Sequence, residues 1–277
     1  MRRRAPNLEA RRFPRGSADA IRQVLLFGAV YLLYELVRGL VNDNDVARAT
    51  VDANRIIDLE RGLHVFVEPS VQVWALHRPW LMDVADWTYL DAHGVVTFAA
   101  LAFVYLRRNE SFDLMRNTFM IAMAIALVGY VVYPTAPPRL MPQWGFADPI
   151  RAMTGVDAER GPGSILLNAY AAIPSMHVCF ALLTAGSMST VARRPMIRVS
   201  WRLYPAAITL VVLVTGNHYL TDIVLGALTA GAAALLARAL RGRPRPAESA
   251  LWTARPFAGR TIAGGAGSIS PDSPAVP

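Results

Sequence analysis

Ser175-Met176-His177-Val178-Cys179-Phe180-Ala181-Leu182-Leu183-Thr184 opens an apolar run that continues to Ala192 and carries a histidine at its start. Forty-one residues after His177, His218-Tyr219-Leu220-Thr221-Asp222 opens a second run that reaches Ala237. Histidine is costly in a bilayer, so one placed at the end of a long apolar run marks a functional position. Reading these runs as membrane spans decides the fold, and reading their first residues points to the chemistry.

Composition supports the membrane reading. Of 277 residues, 54% are hydrophobic and 17% charged, too apolar a balance for an ordinary soluble domain of this length. Six runs qualify as spans: Ile21–Val41, Trp87–Leu106, Thr118–Tyr133, Ser175–Ala192, Trp201–Thr215 and Tyr219–Ala237. Several fall short of the ~20 residues a spanning helix needs, as helix ends capped by polar site residues do. The expected fold is therefore all-α: an integral-membrane bundle of six transmembrane helices over residues 20–240, with interfacial helices on its outer face and a loop over the active site. Residues 1–19 are expected to form an Arg-rich cytoplasmic tail near anionic headgroups. Residues 241–277, rich in Pro, Gly, Ser and Ala, are expected to form a disordered cytoplasmic tail.

Arginine placement orients the bundle. All 28 basic residues are Arg, and the chain has no Lys. With the N-terminus inside, 20 of them fall in inner segments and 7 in outer ones, with Arg38 inside the first run. This asymmetry places both termini in the cytoplasm and implies a multi-pass protein of the plasma membrane. The net charge of +8 is thus mainly a topology signal. No basic segment carries interleaved aromatics, so nucleic acid is not an expected partner. The single cysteine, Cys179, excludes an internal disulfide.

Two outer segments break the helical pattern. Asn42 to Asp86 has apolar residues at partly helical spacing among charges, and reads as one or two helices on the outer membrane surface. The plain alternative is a solvated connector without a part in the chemistry. Pro134 to Pro174 is too rich in Pro and Gly for a long helix. It ends at the first histidine motif, which favours a lid or wall over the site.

On this topology Arg139, His177 and His218 all lie at outer ends of spans. His218 and Asp222 are four apart, hence on one helix face. There the carboxylate can accept Nδ1–H and leave Nε2 as nucleophile or base. His177 supplies a second group titrating near neutrality. Arg139 can bind phosphate through a bidentate fork, and Ser175 sits at a helix start where N–H groups favour an anion. The candidate catalytic residues are His177, His218 and Asp222. The candidate phosphate-binding residues are Arg139 and Ser175, and Tyr133, Asn217 and Tyr219 are candidate site walls. Each has a bland alternative: a satisfied structural histidine, an interfacial arginine, an ordinary N-cap serine. His64, His77 and Glu60 read as surface residues. Tyr89 and His93, on one face of the second span, read as a structural hydrogen-bonded pair. Asn42-Asp43-Asn44-Asp45 lacks calcium-loop spacing and reads as a turn.

Pro174-Ser175-Met176-His177 followed by His218-x-x-x-Asp222 resembles the type-2 phosphatidic acid phosphatase superfamily. Its three motifs are Lys-x6-Arg-Pro, Pro-Ser-Gly-His and Ser-Arg-x5-His-x3-Asp. Arg139 fits the first, but Val132 stands at its Lys and Leu140 at its Pro. Met176 replaces the Gly of the second, and Val212 the Arg of the third. These departures resemble the inositol phosphorylceramide synthase branch, with its Tyr-Pro-Thr-Ala-Pro-Pro string (Tyr133 to Pro138 here) and His-Tyr-x-x-Asp motif. An upstream Ala-Asn…Glu…Glu…Gln helix in that branch is similar to Ala53 to Gln72. The resemblance covers roughly Ile21 to Leu240.

The resemblance implies six transmembrane helices and roles for matching residues. His218 would take the phosphoryl group as phosphohistidine and Asp222 would orient it. His177 would protonate the leaving alcohol and then activate water or an acceptor hydroxyl. Arg139 and Ser175 would bind phosphate oxygens, with no metal and no cofactor. Loss of the Lys and of the second Arg fits a phosphodiester donor better than a dianionic phosphomonoester. The expected partners are membrane lipids: a phospholipid or polyprenyl-type lipid phosphate donor, and a lipid or glycan hydroxyl, or water, as acceptor. Transfer of a headgroup such as phosphoinositol is preferred to hydrolysis of phosphatidic acid or a polyprenyl phosphate. The rival class is a proton-coupled transporter, which would place its polar groups near the midplane on broken helices. A catalytically inactive lipid-binding scaffold is the third reading.

Overall fold

The apolar runs fold as long helices because they satisfy their own backbone polar groups within one segment. The computed structural model describes residues 13–40, 46–155 and 170–241. The helices are α1 (Ser17–Leu40), α2 (Val46–Gly62), α3 (Glu68–Leu76), α4 (Pro79–Arg107), α5 (Asn109–Val132), α6 (Pro149–Thr154), α7 (Met176–Val191), α8 (Pro195–Val214) and α9 (Leu220–Arg241). Among the described residues there is no strand; one isolated parallel bridge joins Thr135 to Ala171. The tails expected at residues 1–19 and 241–277 fall mostly outside the described residues, though α1 already begins at Ser17.

Among the described residues five helices, rather than the six expected from the sequence, are long and apolar enough to cross a membrane: Ser17–Val37 of α1, then α4, α5, α8 and α9. The sixth apolar run, α7, has 16 residues, short of the ~20 needed. It starts at the Ser175 cap and stops before Arg193-Arg194-Pro195. Its position accounts for its uniform apolarity. It packs against α4, α5, α8 and α9, and a helix walled on several sides buries apolar residues all round. The peripheral helices instead turn apolar side chains outward: Val24 and Leu25 on α1, Leu203 on α8, Leu228 and Leu235 on α9 are all more than 60% exposed. Such continuous apolar surface is abnormal for a water-soluble monomer and is what a lipid-facing surface requires. The chain is thus consistent with a multi-pass membrane protein.

The outer segment is helical as expected, but shorter, and its plain alternative does not hold. Residues 79–86 do not belong to it but form the first turns of α4, which starts at Pro79 and runs to Arg107 through a π-helical stretch at Thr88–Ala92. Asp83 and Asp86 interrupt the apolar pattern there, so the run reads as starting at Trp87. A π turn inserts extra backbone and re-aims side chains, and such turns favour functional sites; here the stretch carries Tyr89. The remainder is also no solvated connector. Ala53, Ile57 and Glu60 of α2 and Glu68 and Gln72 of α3 are buried. Gln72 is stitched to the Pro-rich loop both ways, its Nε2 donating to Ala147 O (3.1 Å) and its Oε1 accepting from Ala147 N (3.0 Å).

Candidate active site

Three turns meet at one end of the bundle. After α5 the chain runs through Pro134–Pro138 into a 3-10 turn, Pro138–Leu140, that holds Arg139. Its backbone N–H donates to Gly216 O at 2.7 Å. Gly216 lies in the left-handed region, φ 66°, and a Cβ there would meet Gln72 Nε2 at 2.5 Å and Arg139 Cβ at 3.4 Å. Only glycine fits both constraints, and it turns α8 into the Asn217-His218 segment. The third turn, ending at Pro174, delivers Ser175 and His177 at the start of α7.

These turns bring Arg139, His177, Asn217 and His218 around one cavity of about 70 Å³, closed by Tyr34, Tyr89, Tyr130, Pro137, Ala171, Ala172 and Met176. The two histidine rings lie with centroids 5.9 Å apart and planes tilted by 56°. His218 is 4% exposed. Its Nδ1 lies 3.3 Å from Asp222 Oδ2, which also accepts the Tyr219 N–H at 2.9 Å. A carboxylate there favours the Nδ1–H tautomer and leaves the Nε2 lone pair for chemistry. Arg139 is held by two bonds, Nε donating to Asn217 Oδ1 and Nη1 to Asp148 Oδ2, both 3.0 Å. Two of its five N–H donors are thereby engaged; the others remain for an anion in the cavity.

The other expected residues sit differently. Ser175 is fully buried and its Oγ caps α7 by accepting from Val178 N at 3.4 Å. It lies behind the cavity wall, with its own N–H donating to Asp222 O at 3.1 Å. That bond ties the His177 helix to the first turn of α9, which carries Asp222. Tyr133 and Tyr219 do not line the cavity; both pack in the apolar cluster that includes Ile57 and Met141. Among the described residues, no group of three or more His, Cys, Asp or Glu is placed to hold a metal.

Several site residues escaped the sequence reading. Tyr89 stacks on His177 at 4.2 Å with planes 20° apart, and His93 lies 5.2 Å from the same ring. His93 Nδ1 is 2.8 Å from Tyr204 Oη. The shared face of Tyr89 and His93 was legible; their approach to His177, 84 residues from His93, was not. Asp148 left one readable signal, a carboxylate before Pro149, and it does cap α6 through Arg151 N at 3.1 Å. Nothing in the sequence paired it with Arg139. Beside the cavity a larger slot of about 160 Å³ shares Tyr34, Tyr89, Met176 and His177, and continues between Phe27, Tyr31, Phe98 and Phe180.

One close approach holds the His177 helix. A Cβ at Gly226 on α9 would collide with the Ser175 carbonyl oxygen, whereas one at Gly231 on the same helix meets nothing within 4 Å. Gly226→Ala is expected to push Ser175 and His177 off position. Overpacking of this kind costs about 1–3 kcal/mol, and turnover should fall about tenfold or more. Gly231→Ala is the control, and thermal melting with turnover in detergent compares the two. Equal behaviour of the two variants would contradict the contact.

A family model described as the PAP2 superfamily matches residues 54–236 of the chain. No curated protein and no solved structure matches it.

Proposed function

The chain belongs to the PAP2 superfamily, and on that premise we propose that it is a lipid phosphotransferase working through a phosphohistidine on His218. The carrying observation is the pair of histidines lining one cavity, with Asp222 behind one and Arg139 at its rim. In the first half-reaction His218 Nε2 attacks phosphorus and the bond from phosphorus to the lipid alkoxide breaks. His177 gives that oxygen its proton. In the second half, His177 takes a proton from the acceptor hydroxyl, whose oxygen displaces His218. Arg139 holds the non-bridging oxygens as their charge develops. Ser175 acts through its cap, fixing where His177 starts its helix. The 160 Å³ slot beside His177 suits the apolar part of the donor.

A phosphodiester donor, and so transfer of a headgroup such as phosphoinositol, is favoured over phosphomonoester hydrolysis by two positions. Val132 is 61% exposed on the apolar exterior, and Val212 is fully buried against Val178 and Ala181. Where the family motifs carry Lys and Arg, this chain thus has hydrocarbon. Arg139 is the one Arg or Lys lining the cavity among the described residues. A single guanidinium matches a monoanionic diester better than a dianion. These two positions support a reading within the inositol phosphorylceramide synthase-like branch. With six spans, α7 included, and α2 and α3 on the surface, arginine asymmetry puts both termini in the cytoplasm. The site then opens to the outer leaflet of the plasma membrane.

The test is wild-type protein beside His218→Ala in detergent micelles, with radiolabelled phosphatidylinositol or phosphatidic acid plus lipid extract. A new, His218-dependent phospholipid is the expected product. Free phosphate alone would replace transferase by phosphatase. No product from any donor would favour a transporter or scaffold and call for flux assays.

A further inference from the structure

The start of α9 is closed by three carboxylates from three different elements. Asp222 Oδ2 accepts from Tyr219 N at 2.9 Å, Glu68 Oε1 of α3 from Leu220 N at 2.8 Å, and Glu60 Oε1 of α2 from Thr221 N at 2.7 Å. These N–H groups have no intrahelical acceptor, and the positive end of the helix dipole favours negative charge beside them. Glu60 and Glu68 are 1% and 0% exposed. Each leaves its second oxygen, Oε2, buried without a partner among the described residues, and no ion pair engages either carboxyl. Two adjacent buried carboxylates with one unsatisfied oxygen apiece cannot both be ionised without strong repulsion.

We propose that Glu60 and Glu68 share one proton and act together as a positioning clamp on the first turn of α9, holding the backbone that carries His218 and Asp222, so that activity requires the proton to be retained. The clamp's effect on turnover rests on the phosphotransfer reading above; the shared proton does not. Burial first, and the neighbouring Glu60 carboxyl after it, push the Glu68 carboxyl up to about 8. The other titratable groups facing the pair come from α9 and the segment before it. They are His218, Asp222 and the buried Tyr219 phenol, which burial and the three carboxylates raise further above its ordinary value. Tyr219 therefore adds no charge near neutrality. Neither glutamate lines the cavity, so the pair acts through α9 and not on substrate.

The sign of the pH effect follows. A carboxyl whose folded value is raised holds its proton in the folded state after the unfolded chain has lost it. Its contribution to stability is complete below about 4.5 and is lost as pH rises through about 8. Ionisation of both groups then drives α2 and α3 apart at the α9 start.

The experiment uses full-length protein in detergent and four variants: Glu60→Gln, Glu68→Gln, Glu60→Ala and Glu68→Ala. An amide at either position can accept the α9 N–H and donate to the opposite carboxylate. Infrared difference spectra at neutral pH should show a protonated-carboxyl band in wild type that either Gln substitution removes. Absence of that band would overturn the shared proton. Thermal midpoints of wild type should fall between pH 4.5 and 8, and the Gln variants should flatten that fall; an unchanged slope would overturn it too. In turnover, Gln variants should keep kcat within about twofold and lose the alkaline decline, while Ala variants lower kcat about tenfold with KM within about twofold. Gln variants as impaired as Ala would overturn the clamp. If wild type itself turns over no lipid phosphate, the phosphotransfer reading fails, and the infrared and thermal results still decide the pair.

Discussion

Replacing His218 by Ala should abolish turnover, by about 10³-fold or more, equivalent to at least about 4 kcal/mol of barrier. The fold should survive. Asp222 Oδ2 still accepts the Tyr219 N–H, so the carboxylate is not stranded by loss of the imidazole. The first turn of α9 keeps its caps from Glu60 and Glu68. A melting temperature close to wild type would therefore accompany the lost activity. The sharper readout is the intermediate. Brief incubation with labelled donor should leave acid-labile, base-stable label on wild-type protein and none on His218→Ala. His177→Ala should slow turnover while still accepting label from a donor with a good leaving group, because that residue supplies only the proton. Label retained on His218→Ala would move the nucleophile elsewhere.

The second large effect is expected at Arg139. Its guanidinium bonds Asn217 Oδ1 and Asp148 Oδ2, each at 3.0 Å, while its backbone N–H donates to Gly216 O. Arg139→Ala removes both the anion's donor and the partner of Asp148, whose side chain is only 19% exposed. Loss of one positioned donor to developing charge costs about 10²–10³ in kcat. Arg139→Lys should recover little, because an ammonium cannot reproduce the planar fork. Asp148→Asn separates the two contributions. It leaves the guanidinium in place but weakens one of its two tethers, so turnover should fall by no more than about tenfold. Steady-state kinetics on the three variants, with melting curves, would show the order. Activity of Arg139→Ala near wild type would remove the guanidinium from the reaction.

Much of the helical framework is readable from local pattern alone. A run such as Tyr219–Ala237 must be helical in lipid because the backbone has no other way to satisfy itself, and α9 spans Leu220–Arg241. Boundaries were harder, because charged residues tolerated at helix ends break the apolar count. Asn109, Glu110 and Asp113 begin α5 well before the expected Thr118, and Arg198 and Arg202 lie within α8. The span count differs for a related reason. Apolarity says that α7 is buried, but whether lipid or protein surrounds it depends on neighbours that no local window contains.

At the site, local pattern sets the chemistry to hand: two histidines at run starts, an aspartate four residues after the second, an arginine after the third run. The His218–Asp222 pair forms as expected, but not along one helix: His218 lies in the segment before α9, and Asp222 reaches back to it from the first turn of that helix. Which distant residues gather around the pair depends on packing. Tyr89 and His93 reach His177 through a π turn, and Asp148 reaches Arg139. Glu60, by pattern a surface residue, is buried against the start of α9 more than 150 positions later in the chain. A carboxylate looks the same in a sequence whether it faces water or a helix terminus. What distinguishes the two is the desolvation and the N–H groups supplied by other segments, and those exist only once the chain has packed.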